Sequence, residues 1–248
     1  RGGKNGLAYS LGSAMGVGGA KSSTLLAGFC PRIGLDVGGV LKQHATDMYS
    51  SELWWKSRDI MTPQVLWAVR AIVQIFGEAN VFIACHQRPD LKEHTDIWLH
   101  ETMDICTETG LLRENVHFVH KRTGQGGLGM LAEKLRLSHF IDDSFLNLEA
   151  VFSDGMGNAQ SFVEGVGGRL LHFARSGDGR APPEPMEHIS AGMRPYYSAV
   201  ANWPEALAVL DPGMRRIRSV CSCQTRRPCC TEGEVRSRIT SYEPSGAT

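Results

Sequence analysis

Between residues 32 and 210, short apolar runs alternate with longer stretches whose apolar residues recur at helical spacing. Ile33 to Leu35, Val81 to Cys85, Val116 to His120, His139 to Asp142, Arg169 to Ala174 and Tyr197 to Ala201 read as strands. The segments between them read as helices. Thr62 and Pro63 open one as N-cap and first helical residue, and Gly77 stops it. Pro89-Asp90 opens a second, running through Ile97, Trp98 and Ile105 to Gly110. Leu128 to Leu137 is a third, Ser144 caps a fourth carrying Leu148, Val151 and Phe152, and a last begins near Pro204. Strands that regularly alternate with helices build βα units. The expected fold is therefore α/β, a three-layer sandwich around a mainly parallel sheet.

The remainder frames this block. Residues 1–31 are rich in Gly, Ser and Ala and read as a poorly ordered lead-in; residues 211–248 read as a disordered Cys- and Arg-containing tail. The chain begins with Arg, so a fragment or processed form is expected, with room for a signal peptide upstream. Lys plus Arg equals Asp plus Glu at 26 each, which gives no electrostatic reason to expect nucleic acid as a partner. No apolar run is long enough to span a bilayer. Seven cysteines, an odd number without a regular framework, argue against a secreted disulfide scaffold and favour a reducing, cytoplasmic setting.

Ligands of open parallel sheets bind at the carboxyl ends of the strands. Two strands here end in acids: Asp36 after the first and Asp142-Asp143 at the fourth. Carboxylates gathered at one sheet edge suit a hard divalent cation such as Mg²⁺. The bland alternatives are a strand-end acid at Asp36 and a helix N-cap pair at Asp142-Asp143.

The strings IGLDVGGVL (Ile33 to Leu41) and SHFIDDSFLNLEAV (Ser138 to Val151), in that order with strand-helix units between them, resemble the first and fourth motifs of the haloacid dehalogenase-like (HAD) superfamily. The resemblance spans roughly residues 32 to 175. It implies a Rossmannoid sheet and a Mg²⁺-dependent phosphate-monoester hydrolase acting on a phosphorylated substrate. Asp36 would be the nucleophile, forming an aspartyl-phosphate. Asp36, the backbone carbonyl of Gly38, Asp142 and Asp143 would hold the metal, and Cys85 would stand at the phosphate-binding position. The link from Asp36 to Thr62 is too short for a large cap domain.

Three positions depart from the family pattern. Gly38 replaces a second Asp that moves protons. Cys85 replaces a Ser or Thr hydroxyl, and a thiol is the weaker donor. Leu128 stands where a Lys or Arg is expected, leaving Lys121, Arg122 and Lys134 as substitutes. These losses point to reduced or altered activity. The alternative is a catalytically inactive HAD-like domain that binds metal, phosphate or a protein partner. Carbon–halogen hydrolysis at Asp36 is a third reading.

Other features read more simply. Cys85 beside His86 is a buried strand-end thiol rather than a nucleophile. His117, His120 and His139 lack ligand spacing. GVGGAKSS (Gly16 to Ser23) has no preceding strand to make it a phosphate loop, and CSCQTRRPCC fits no zinc pattern. Trp54-Trp55 serve either as a flap over the site or as packed aromatics.

Overall fold

The computed structural model describes residues 30–43, 54–59, 61–120, 127–153, 158–174 and 185–218. Gly16 to Ser23, Lys121, Arg122 and the cysteines from Cys221 onward lie outside the described residues. Six strands form one open, all-parallel sheet: β1 (Ile33–Leu35), β2 (Val81–His86), β3 (Val116–Val119), β4 (His139–Asp142), β5 (Arg169–Phe173) and β6 (Tyr197–Val200). Their order across the sheet is β3-β2-β1-β4-β5-β6, a Rossmann-like arrangement. The described helices are α1 (Val65–Phe76), α2 (Pro89–Ile97), α3 (Ile105–Thr109), α4 (Leu128–Leu135), α5 (Phe145–Ser153), α6 (Asn158–Val166) and α7 (Trp203–Arg218). The last runs past residue 210, where the sequence pattern places the end of the domain. No helix among the described residues is long and apolar enough to cross a membrane.

The strand sequences dictate the layering, because successive side chains point to opposite faces. Ile33, Leu35, Ile83, Ile141 and Leu171 enter one core with Ile72 and Phe76 of α1, Ile105 of α3 and Trp203 and Leu210 of α7. Phe82, Ala84, Phe140 and Leu170 enter the other with Leu128 of α4, Leu148 and Val151 of α5 and Val163 of α6. Helices cover both faces, as a parallel sheet requires. Gly34 is fixed by this packing. A Cβ there would lie 2.5 Å from two ring atoms of Phe140 and 2.7 Å from Leu137.

Two local expectations change. Thr62 does not cap α1. Gln64 precedes that helix in a left-handed conformation, φ 64°, while the Thr62 hydroxyl donates to the Val40 carbonyl oxygen at 2.7 Å. It accepts from the Trp203 indole at 3.0 Å. A buried tie between the β1 loop and α7 outcompetes the local cap. The expected single helix from Pro89 to Gly110 is also broken. A π-helical turn, Trp98–Thr102, follows α2, and Asp104 turns left-handed at φ 50° before α3. Tertiary partners account for the break. The Arg58 guanidinium donates to the carbonyls of Thr102 and Met103, and the Trp98 indole donates to Ser57. Backbone groups engaged from outside do not continue the helical ladder.

Candidate metal and anion site

The site grows from the point where the strand order reverses. β1 lies between β2 and β4, and the chain leaves it in one direction toward β2 and reaches β4 on its other side. A crevice opens at the carboxyl ends of the two diverging strands. Leu35 is in register with Ile141, and the Asp36 amide donates to the Ile141 carbonyl at 2.9 Å. The ladder therefore carries Asp36 and Asp142 to the same edge. One ligand oxygen from each of Asp36, Asp142 and Asp143 lies within 4.8 Å of the others. Three hard oxygen donors this close can hold a metal ion. Asp36 is 7% exposed and Asp142 0%, with Asp143 half-buried.

Each carboxylate has its own support. The amides of Val37 and Gly38 donate to Asp36. The Ser144 amide donates to Asp142 Oδ1 at 2.8 Å, and the Asn147 side chain donates to Oδ1 and Oδ2 at 3.2 and 3.1 Å. Asp142 thus ties down the start of α5, as the capping reading anticipated, while belonging to the cluster. Asp143 is anchored through its backbone. Its carbonyl lies 3.1 Å from His172 Nε2, and His172 Nδ1 lies 2.8 Å from the Tyr197 hydroxyl. A carbonyl only accepts, so Nε2 is the donor to Asp143.

The electrostatics are those of acids crowded without water. Burial, then Asp142 and Asp143, push Asp36 well above the ordinary carboxylate range, against the pull of its two amide donors. Burial and Asp143 push Asp142 up to about 8, against the Ser144 and Asn147 hydrogen bonds. A divalent cation would offset these repulsions, so the donor set fits one.

Lys42 is the residue that the sequence reading missed. After Asp36 the chain reverses tightly. Gly39 takes φ 69°, and the amides of Leu41 and Lys42 both donate to the Val37 carbonyl. Lys42 then pairs with Gly38 on one side and Met61 on the other. Lys42 is 5% exposed, and its ammonium sits 3.8 Å from the centroid of the Trp54 ring. Burial pulls it down to about 8, while Cys85 and Asp36 hold it up. The only sequence signal was a Lys just past a Gly-Gly turn, in a stretch where attention falls on the acids.

The other candidates fall into place. Cys85 is buried near the end of β2, and burial, with Asp36 and Asp142 beyond it, raises its thiol. That suits a packed, protonated thiol rather than a nucleophile. Leu128 is buried in the second core, and Lys134 is exposed on α4, where it acts on His117. Lys134 therefore does not supply the missing cation. His139 bonds the Ser138 hydroxyl at the far end of β4 from Asp142, and burial pulls it down to about 3. His117 lies against Phe82, and His120 is exposed. None of the three joins the acid cluster. Trp54 belongs to the core beneath Lys42, and Trp55 stacks on His94 at 3.7 Å. No protein-family model, curated protein or solved structure matches this chain.

Proposed function

We propose that this chain is a metal-dependent phosphate-monoester hydrolase of the HAD-like type, with reduced or altered activity. One observation carries the reading. Asp36 follows one strand and Asp142-Asp143 close its neighbour at the reversal point of the sheet, with their ligand oxygens within 4.8 Å. Asp36, Asp142 and Asp143, together with the Gly38 carbonyl, would hold a divalent cation, which we take to be Mg²⁺. Such an ion supplies positive charge against the negative charge that develops on a transferring phosphoryl group.

Asp36 is the nucleophile in this reading. One carboxylate oxygen forms a bond to phosphorus as the ester P–O bond breaks, and the electron pair leaves on the alcohol oxygen. Water then cleaves the acyl phosphate and regenerates Asp36. The departing alkoxide needs a proton, and Gly38 has no side chain to give one. The absent acid costs on the order of 10² to 10⁴ in rate for a basic leaving group. Aryl phosphates, whose phenolate leaves without protonation, should react far faster than alkyl phosphates.

A generic aryl phosphate assayed with Mg²⁺, on wild type and Asp36→Asn, tests this. Mg²⁺-dependent phenol release that disappears in Asp36→Asn is expected. A folded wild type that releases no phenol defeats the proposal. Chloride release from haloacids would instead assign Asp36 to carbon–halogen hydrolysis.

A second reading has its own support. Gly38 and the buried thiol of Cys85 lack the groups that turnover uses. They favour an inactive domain that binds metal, phosphate or a protein partner. It is marked by Mg²⁺ raising the melting temperature of a protein that never turns over substrate.

A further inference from the structure

The acid cluster defines the cation-binding half of the site but not what faces it. An anionic substrate brought to three carboxylates needs positive charge beyond a metal ion, and Leu128 cannot give it. We propose that Lys42, carried on the face of Trp54, is the group that binds the substrate's phosphate oxygens beside Asp36. The inference deepens the hydrolase reading and rests on it.

Three observations converge on Lys42. The first is position. The turn at Gly39 and the shared Val37 acceptor fold the chain back, so that Lys42 pairs with Gly38, two residues from the nucleophile. Asp36 and Cys85 both act on its charge, and these are the groups that would flank a bound phosphate.

The second is environment. Lys42 as a whole is 5% exposed, so its ammonium gives up most of its hydration. The Trp54 ring replaces part of it, since its negative face attracts a cation. A cation seated on an aromatic face in such low-dielectric surroundings attracts an anion brought beside it more strongly than one in water would.

The third is rigidity. The segment carrying Trp54 and Trp55 is clamped to the π-helical turn. The Trp55 carbonyl accepts from the Thr102 hydroxyl, the Ser57 carbonyl accepts from the Trp98 indole, and Arg58 reaches back to Thr102 and Met103. The break in the expected long helix thereby acquires a role. It holds the platform on which Lys42 rests, and a binding group held in place loses little freedom when it binds.

The test is titration calorimetry on the full chain, with Mg²⁺ first and inorganic phosphate second, for wild type, Lys42→Met and Lys42→Arg. Lys42→Met should bind Mg²⁺ at least as tightly as wild type, because a neighbouring positive charge is gone. Its phosphate affinity should fall about tenfold to a hundredfold, the usual range for a lost charged hydrogen bond. Lys42→Arg keeps the charge and should stay within a few-fold of wild type.

Equal phosphate affinity in wild type and Lys42→Met overturns the inference and leaves the hydrolase reading standing. So does a Lys42→Arg protein that keeps its wild-type fold by circular dichroism but loses phosphate as Lys42→Met does. A wild type that binds Mg²⁺ but no phosphate overturns both. If Lys42→Met fails to fold, Lys42→Arg and Lys42→Gln carry the comparison. Retained affinity in Arg with loss in Gln supports the role, and equal affinity in the two overturns it.

Discussion

Replacing Asp142 with Asn should change how the stability of the metal-free protein depends on pH. Asp142 is fully buried, and burial and Asp143 raise it from an ordinary 3.8 to about 8. The folded protein therefore keeps a proton on this group through a range in which the unfolded chain has released it. The group costs nothing below the unfolded value, and stability falls as pH rises from there toward the folded value. One extra bound proton corresponds to about 1.4 kcal/mol per pH unit. Between about pH 5 and about pH 7 the Asp142 contribution is thus a loss of about 3 kcal/mol. His139 acts oppositely. It is buried neutral with its value pulled to about 3, so its charging in the unfolded chain makes stability rise with pH below the ordinary histidine value. The difference between wild type and Asp142→Asn cancels the His139 contribution. Urea unfolding in a chelator across this range should show the variant's disadvantage shrinking, or turning into an advantage, by about 3 kcal/mol toward neutral pH. Adding Mg²⁺ near neutral pH should restore the wild type and help the variant less. A difference that is flat with pH would refute the claim that the folded protein holds this proton.

Asn147→Ala removes the side chain that reaches both oxygens of Asp142. It should weaken Mg²⁺ affinity about 10- to 100-fold by calorimetry, the usual cost of losing a group that orients a metal ligand. Gly34→Ala puts a methyl group into the Phe140 ring. Urea unfolding should show a loss of about 1–3 kcal/mol, the overpacking range, with strand content by circular dichroism preserved.

The layering was legible because it depends on local pattern. Ile33 to Leu35 and His139 to Asp142 announce buried strands by composition alone, and Gly77 and Gly110 stop helices because their backbones need positive φ. Asp36 and the Asp142-Asp143 pair were legible for the same reason, since a strand-end acid needs only the strand to be recognised. What stayed hidden depends on residues far apart in the chain. Thr62 reads as a cap until Trp203 and the Val40 carbonyl compete for its hydroxyl. The helix after Pro89 reads as continuous until Arg58 engages its carbonyls. Lys42 carries no signal of its own in the sequence, because the Gly39 turn and Trp54 that bury it act only in the folded chain. No periodicity encodes contacts of this kind.

Capping alone does not account for Asp142. A carboxylate that serves only to start a helix works best ionised and near water, because its hydrogen bonds and the helix dipole both favour the charged form. Asp142 does donate order to α5 through Ser144 and Asn147, yet it sits out of solvent beside two more acids, where those hydrogen bonds fail to keep it ionised. Asp36 is in the same position despite two amide donors. Moving either acid outward, or replacing one with Asn, would relieve the repulsion at little cost to the sheet. A fold that keeps all three together, with a buried ammonium close by, accepts local instability at one strand edge. That is the pattern expected where charge is arranged for a ligand rather than for the fold. Metal-free Asp36→Asn should therefore be at least as stable as wild type near neutral pH, although on the hydrolase proposal it would lose phosphate release. A lower melting temperature in that variant would show that the cluster is structural after all.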